Sequence, residues 1–310
     1  MSQPTTLVIF GANSLCGEAL IEQLPEGTPW RCLGRRLPPG VAADHWQHCE
    51  LNDLTATGLQ AAAAALPAGP QVWVAFAHIW LAAPFLQALR ASLPGCLADL
   101  RGVVACSSSS VITKRFAANG FDRELVRRLS TSQEQLLADC TELGVQVRIL
   151  APTLIYGRTA HNVDHNVETL HRWLRRLPVL LLPAHTGLRQ PIAAADLAAV
   201  ALAQAQELAD PVPEEPTAAS AVLPLGGDDT LSYRALLERI QAGDPRAARC
   251  RLLTLPTPLF QWLASPLLLV SPKTFEAVLR LSADLAGFAR VADLLGRPPQ
   301  PFQAQPPLPR

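Results

Sequence analysis

The stretch Leu7-Val-Ile-Phe-Gly11-Ala-Asn-Ser14-Leu-Cys-Gly17 combines an apolar strand, a glycine turn and the start of a helix. Gly11 permits the turn at the strand end, and Gly17 lets the helix pack closely on the strand. The first amides of a helix are free to bind phosphate, and the helix dipole favours the negative charge. Because the turn directly follows an apolar strand, the segment predicts a site for the diphosphate of a dinucleotide.

Short apolar runs alternate with helical patterns, which is typical of a parallel sheet covered on both faces. The sequence therefore predicts an α/β fold, a doubly wound parallel sheet with a small C-terminal substrate lobe. The predicted strands are residues 7–10, 30–34, 46–50, 72–76, 102–106, 146–151 and 222–225. The predicted helices are residues 15–24, 59–66, 84–93, 123–143, 194–209 and 233–242.

Two further segments and the domain boundaries follow from the same pattern. A Pro-rich stretch, residues 210–216, predicts a surface loop, and residues 297–310 predict an extended arm or a frayed tail. We assign residues 1–155 and 189–225 to the nucleotide-binding domain. Residues 156–188 and 226–310 are assigned to the substrate lobe and C-terminal tail.

Composition limits the classes of function. The chain has 310 residues, is 49% hydrophobic and 17% charged, and carries no formal net charge, which is typical of a globular protein. Without a basic face, nucleic acid is not an expected partner. The seven cysteines lack a CxxC pair, and the N-terminus lacks the basic region of a signal peptide, so a cytoplasmic location is expected. Prolines interrupt the apolar run at residues 252–270, so no transmembrane segment is expected.

The end of the second predicted strand indicates the type of dinucleotide. An acidic residue there would bind the ribose 2′-hydroxyl, whereas Gly34-Arg35-Arg36 offers guanidinium groups that suit a 2′-phosphate. This predicts NADP in preference to NAD. The alternative is a solvated basic turn before Pro38.

The glycine segment resembles the motif of extended and atypical short-chain dehydrogenases, the NAD(P)-dependent epimerase/dehydratase family, with Ser14 replacing the middle glycine. Other stretches resemble this family in chain order, namely Glu50-Leu51, residues 74–77, Cys106-Ser-Ser-Ser-Ser-Val111, Leu150-Ala-Pro152-Thr153-Leu-Ile-Tyr-Gly157, Gln190-Pro191-Ile192, Asp196-Leu197, Gly226-Gly227 and Leu295-Gly296. The resemblance implies an NAD(P)-binding Rossmann fold and an oxidoreductase that acts on a nucleotide sugar or a related carbonyl compound. The glycine turn, the arginine pair and the resemblance together predict that the cofactor contacts Gly11, Asn13, Ser14, Leu15, Gly17, Arg35, Arg36, Glu50, Leu51, Phe76, Ala77, Ser107, Pro152 and Thr153.

The catalytic pair of this family is missing. Its members use Tyr-x-x-x-Lys on a helix, where the ammonium lowers the pKa of the phenol and positions the ribose. The only tyrosines are Tyr156 and Tyr233, neither is followed by lysine at that spacing, and we matched the helix positions to Val126 and Ser130. An alternative hypothesis is therefore a dinucleotide-binding protein without hydride chemistry, with a structural, sensing or partner-docking role.

Three residues are candidates to replace the missing pair. Ser108 matches the serine or threonine of the family's active site, and its hydroxyl could donate to a substrate carbonyl or simply pack the strand end. Lys114 is a candidate general acid or phosphate ligand, or else a solvated loop lysine. Tyr156 follows the segment that resembles the nicotinamide wall. It has no cationic neighbour in sequence, so its pKa is expected near the ordinary value of about 10.

Four further residues are expected to line the substrate pocket: His78, Trp80, His161 and Asn162. His78 and Trp80 follow the fourth predicted strand, and a packed tryptophan with a neutral histidine is an equal alternative for them. His161, Asp164 and His165 lie too close together in one loop to enclose a metal, so no metal site is expected. The helices at residues 84–93 and 123–143 could pair two copies in a homodimer.

Overall fold

The computed structural model describes residues 4–117, 119–209, 221–266, 278 and 280–304. Its strands are β1 (Thr6–Phe10), β2 (Trp30–Gly34), β3 (Trp46–His48), β4 (Gln71–Ala75), β5 (Leu100–Cys106), β6 (Gln146–Pro152), β7 (Ile155–Tyr156), β8 (Val179–Pro183), β9 (Leu188–Arg189), β10 (Ile192–Ala193), β11 (Val222–Gly226), β12 (Leu231–Ser232), β13 (Arg251–Leu255) and β14 (Ala289–Arg290).

The helices of the described residues include α1 (Leu15–Ile21), α2 (Ala56–Ala65), α3 (Ile79–Ser92), α4 (Ser110–Thr113), α5 (Gly120–Glu142), α6 (Asn166–Arg176), α7 (Ala194–Ala209), α8 (Tyr233–Ala242), α9 (Thr257–Ala264) and α10 (Val291–Leu295). Among them, none has both the length and the apolar character that crossing a membrane requires. The third helix was predicted to begin at Pro84, but α3 begins at Ile79. The earlier start buries Ile79 and Ala83 in the core.

Eight strands form one parallel sheet in the order β14-β11-β6-β5-β4-β1-β2-β3. The chain runs outwards from β1 to β3, returns to the middle and then runs outwards in the other direction from β4. This reversal opens a crevice at the carboxyl ends of β1 and β4, where open α/β sheets bind ligands. The predicted doubly wound sheet is confirmed.

Each face of the sheet carries its own apolar core. Successive strand residues point to opposite faces, so Val8 packs with α2, α3 and α5 while Ile9 packs with α1 and α7. Both residues are fully buried. The continuous apolar strands in the sequence follow from this two-sided burial.

The C-terminal lobe has a third apolar core, formed mainly by α6 and α8 and closed by Phe302. Residues 297–304 form an irregular arm held by backbone hydrogen bonds to Asp228 and Asp229 (Gln300 N to Asp228, 2.9 Å; Phe302 N to Asp229, 2.8 Å). The strand β14 belongs to the eight-stranded sheet, although it lies within residues 226–310, which were predicted to form the lobe and tail. The predicted loop at residues 210–216 and the end of the tail, residues 305–310, lie outside the described residues.

Candidate functional site

The glycine turn is packed so closely that neither of its glycines has room for a side chain. Gly11 has a φ of 81°, and a Cβ there would lie 2.4 Å from the amide nitrogen of Ala77. A Cβ on Gly17 would lie 2.3 Å from the carbonyl oxygen of Gly11. Ser14 caps α1, because its hydroxyl accepts a hydrogen bond from Gly17 N at 3.1 Å. Both glycines are therefore required by the close packing of the turn against the end of β4 and the start of α1.

The turn is joined to the connection between β2 and β3. The side-chain amide of Asn13 donates to the carbonyl oxygen of Arg36 at 2.9 Å. The Arg35 and Arg36 side chains are exposed, and in the described part of the chain neither guanidinium has a hydrogen-bond or ion-pair partner. Both are thus available to an anionic ligand lying along the turn.

The remaining predicted cofactor residues lie around the same crevice. The amides of Phe76 and Ala77 both donate to Phe10 O, at 2.8 and 3.2 Å, and hold the end of β4 against β1. The Thr153 hydroxyl donates to the carbonyl oxygen of Gln190, and Pro152 O accepts a bond from Ser109 N at 3.0 Å. Three others lie near the rim: Leu15 packs on the core beneath α1, Leu51 on the opposite core, and Glu50 is exposed beside His48.

The serine strand contacts α5 through a residue that the sequence analysis missed. The amide of Gln133 donates to the Ser107 hydroxyl at 2.6 Å, and Leu129, one turn earlier on α5, is buried. The residue of α5 that binds the serine strand is thus Gln133, which the match to Val126 and Ser130 did not include. The spacing Leu129-x-x-x-Gln133 was visible in the sequence, but glutamine and leucine carry no catalytic signal. The absence of the tyrosine and lysine from these positions stands.

The Ser108 hydroxyl lies at the start of the short helix α4. It hydrogen-bonds the Ser110 hydroxyl at 3.0 Å and accepts from Ser110 N at 3.1 Å. The side chain is half-buried. Its oxygen therefore stabilises the local turn at the start of α4.

Lys114 is held in an ion pair. Its ammonium lies 2.9 Å from Asp122 Oδ1, and Arg280 lies 2.9 Å from Asp122 Oδ2, with the Asp122 side chain fully buried. Burial alone raises the pKa of Asp122, but hydrogen bonds from Lys114, Asn119 and Arg280 lower it to about 2. This placement argues against Lys114 as a general acid or phosphate ligand, because its ammonium is already paired with a buried carboxylate.

Tyr156 packs inside the C-terminal lobe. Its ring meets Phe302 edge-on at 4.6 Å, and burial raises the pKa of Tyr156 to about 12 despite a backbone hydrogen bond from Gln303. The expectation of an ordinary pKa was therefore wrong, because sequence neighbours do not report burial. At neutral pH the phenol stays protonated and can only donate or accept hydrogen bonds.

His78 and Trp80 form a stack at the end of β4. Their rings lie 4.3 Å apart at 15°, and the Arg128 guanidinium covers the other face of Trp80 at 4.8 Å. Partial burial and the charge of Arg128 lower the pKa of His78, which favours the neutral imidazole. The two rings therefore form a stacked pair at the carboxyl end of β4.

His161 and Asn162 lie beside the first turn of α1. Both bind the carboxylate of Glu18 in the first turn of α1, at 2.7 Å from His161 Nδ1 and 2.7 Å from Asn162 Nδ2. Their expected place in the substrate pocket is thus not where their side chains lie. Glu18 itself was missed, since one acidic residue in a first helical turn has no distinctive signal.

No protein-family model and no curated protein matches this sequence. Solved structures do match its fold. UDP-glucuronic acid 4-epimerase from Bacillus cereus in complex with NAD is 13% identical, with a TM-score of 0.59 over 82% of this chain and 88% of that one. GDP-mannoheptose C4 reductase from Campylobacter jejuni with NADP bound is 11% identical, with a TM-score of 0.58 over 83% and 88%. UDP-N-acetylglucosamine 4-epimerase from Bacillus cereus is 13% identical, with a TM-score of 0.57 over 81% and 85%.

The chain thus has the Rossmann-type α/β fold of solved nucleotide-sugar epimerases and reductases, including the smaller C-terminal sheets. The predicted fold class is confirmed. One of these relatives is described with NAD and another with NADP, so the fold is compatible with either dinucleotide.

Proposed function

We propose that the chain binds NADP at the carboxyl ends of β1, β2, β4 and β5. The observation that carries the proposal is the glycine turn, where a Cβ at Gly11 or Gly17 would overlap backbone atoms at 2.4 and 2.3 Å. A tight glycine turn that leads into a helix N-terminus at the reversal point of a doubly wound sheet is where such folds bind a diphosphate. The residues present therefore fit a dinucleotide.

The proposed contacts divide along the cofactor. The turn residues Gly11, Asn13, Ser14, Leu15 and Gly17 would face the diphosphate. Arg35 and Arg36 would bind the 2′-phosphate, and Glu50 with Leu51 would flank the adenine. The nicotinamide half would lie along Phe76, Ala77, Ser107, Pro152 and Thr153.

We propose further that the bound cofactor is used without hydride transfer, for structure, sensing or partner docking. NADP supplies hydride chemistry only where a protein group can deliver or accept the accompanying proton. The helix face beside Ser107 offers Leu129 and Gln133, neither of which titrates, and Lys114 is bound to Asp122. These placements support binding over catalysis.

The second candidate is an NADP-dependent oxidoreductase acting on a nucleotide sugar or a related carbonyl compound. The half-buried Ser108 hydroxyl at the end of β5 favours it, because it lies where a substrate carbonyl would meet the crevice. The substrates named for the solved relatives indicate the class of compound to test.

Titration of the purified protein with NADPH and NADH, followed by fluorescence, tests the binding proposal. Hydride exchange is then measured with a panel of UDP- and GDP-sugars. We expect NADPH to bind and no sugar to support exchange. Turnover of any panel member would establish the oxidoreductase instead, and absence of affinity for either dinucleotide would refute both candidates.

Replacing Arg35 and Arg36 together with alanine is expected to weaken NADPH binding by about tenfold to a hundredfold, since hydrogen bonds to charged groups contribute about 1.5–3 kcal/mol. NADH lacks the 2′-phosphate, so its affinity should stay unchanged. The matched control is Arg101→Ala, an exposed arginine at the opposite, amino-terminal end of β5. Equal losses for the two dinucleotides would show that the arginines do not read the 2′-phosphate.

A further inference from the structure

A short closed loop, residues 157–164, connects β7 to α6, and we call it the strap. Its two ends are joined by the hydrogen bond from Asp164 N to Gly157 O at 3.0 Å and, near its tip, by Thr159 N to Asn162 O at 2.9 Å. The Asp164 carboxylate also accepts from Gly157 N at 3.2 Å and from Val167 N of α6 at 2.6 Å. These bonds make the strap a closed loop whose base is tied to the start of α6.

The tip of the strap is bound to a single carboxylate, that of Glu18. His161 donates from its backbone N at 3.0 Å and pairs through Nδ1 at 2.7 Å, and Asn162 donates from Nδ2 at 2.7 Å. The Thr159 hydroxyl is a fourth partner. Although burial opposes ionisation, these bonds hold the pKa of Glu18 below its usual range. The carboxylate therefore stays charged and accepts from all four groups.

The strap tip bridges two elements of the nucleotide site. Glu18 lies one turn after Ser14, whose carbonyl oxygen accepts its backbone N–H at 2.9 Å. On the other side, His161 Cε1 lies 3.7 Å from the position that a Cβ on Gly40 would take. Gly40 belongs to the connection that carries Arg35 and Arg36. The strap thus closes the outer side of the space between α1 and the arginine pair.

We infer that the strap is a clasp over the adenosine and diphosphate half of the bound dinucleotide, and that Glu18 is the positioning residue that latches it. This inference rests on the proposed NADP binding and adds a cause for retention of the cofactor. Entry and release require the strap to swing away from α1, which breaks the bonds to Glu18. Cofactor exchange is therefore slower than in a site whose outer side is open.

The test compares Glu18→Gln with wild type by stopped-flow displacement of NADPH. Glutamine preserves the size of the side chain, but its NH2 group faces the donors of the strap and replaces an acceptor. We expect NADPH to dissociate about tenfold faster or more, since bonds to a charged acceptor are lost. The matched control, Glu22→Gln, alters an exposed carboxylate at the end of the same helix and should leave the rate unchanged.

Hydrogen exchange of the His161 and Asn162 amides in the cofactor-free protein provides the second readout. Exchange should accelerate in Glu18→Gln while the melting temperature of the protein stays close to wild type. Asn162→Ala, which removes one latch bond from the strap side, should speed dissociation severalfold and covers the case in which Glu18→Gln folds poorly.

Two outcomes overturn the inference, and they differ in whether the proposed NADP binding is refuted as well. If wild type binds NADPH and both variants release it at the wild-type rate, the clasp is refuted while NADP binding stands. If wild type has no affinity for either dinucleotide, the proposed function fails and the clasp fails with it.

Discussion

The variant Asp122→Asn is expected to lower the free energy of unfolding by about 3 kcal/mol at neutral pH. Asp122 is fully buried between Lys114 and Arg280, at 2.9 Å from each. Removing one partner of a buried ion pair costs about 3–5 kcal/mol because the remaining charge is left uncompensated. The lower end applies here, since the Lys114 and Arg280 side chains keep 22% and 23% exposure to water. Urea denaturation of wild type and variant measures the difference.

The contribution of Asp122 to the free energy of unfolding depends on pH, and its lowered pKa determines the direction of the change. The folded value of about 2 lies below the ordinary unfolded value of about 3.9, so the stabilisation is fully present above that unfolded value. It is lost as the pH falls through the folded value. The gap between wild type and Asp122→Asn should therefore shrink by about 2 kcal/mol between about pH 5 and about pH 2.

Glu124→Gln provides the comparison for Asp122→Asn. Glu124 lies two residues further along α5 and pairs with Arg127 at 2.6 Å, but its side chain is 52% exposed. Exposed ion pairs contribute little to stability, so the free energy of unfolding of Glu124→Gln should be close to that of wild type. Equal destabilisation by the two substitutions would show that burial of Asp122 is not the cause.

The variant Gly11→Ala is expected to lower the free energy of unfolding by about 2–5 kcal/mol and to abolish measurable NADPH binding. About 1–2 kcal/mol comes from forcing a side chain into a positive φ, and about 1–3 kcal/mol from overpacking. The overpacking arises because the new Cβ would lie 2.4 Å from Ala77 N, in backbone that two bonds to Phe10 O hold in place. Displacing this turn would move the amides that we propose to bind the diphosphate.

Gly27→Ala separates the two causes. Gly27 has nearly the same φ, 82°, but no atom lies within 4 Å of a Cβ built there. Gly27→Ala should therefore lower the free energy of unfolding only by the cost of the positive φ, about 1–2 kcal/mol, and should leave the NADPH affinity unchanged. If Gly11→Ala binds NADPH as tightly as Gly27→Ala does, the glycine turn is not the dinucleotide site.

Most of the nucleotide half of the fold was predictable from local patterns. The apolar residues 7–10 and the glycine turn predicted β1 and α1. This was possible because a buried parallel strand and a tight turn each require a characteristic pattern in a few neighbouring residues. The start of α3 was predicted less well. Pro84 suggested a helix start, whereas burial of Ile79 and Ala83 extends the helix five residues earlier.

The sequence suggested which segments contribute to the candidate site, but not which side chains contact one another there. The serine strand was recognised, yet its contact with Gln133 depends on how α5 lies across the sheet. The ion pair of Lys114 depends on Asp122 and on Arg280, which is more than 150 residues away in the chain. Such pairings depend on tertiary packing and leave no periodic signal in the sequence.

The sequence by itself determined the alternating strands and helices, the tight glycine turn, the arginine pair after β2 and the absence of a tyrosine and lysine at helical spacing. Only the tertiary structure decided that Glu18 binds the tip of the strap, that Asp122 pairs with Lys114 and that Tyr156 is buried with a raised pKa. The physical reason is that local patterns depend on a residue and its near neighbours. Partners, burial and pKa depend on which distant segments the packed core brings together.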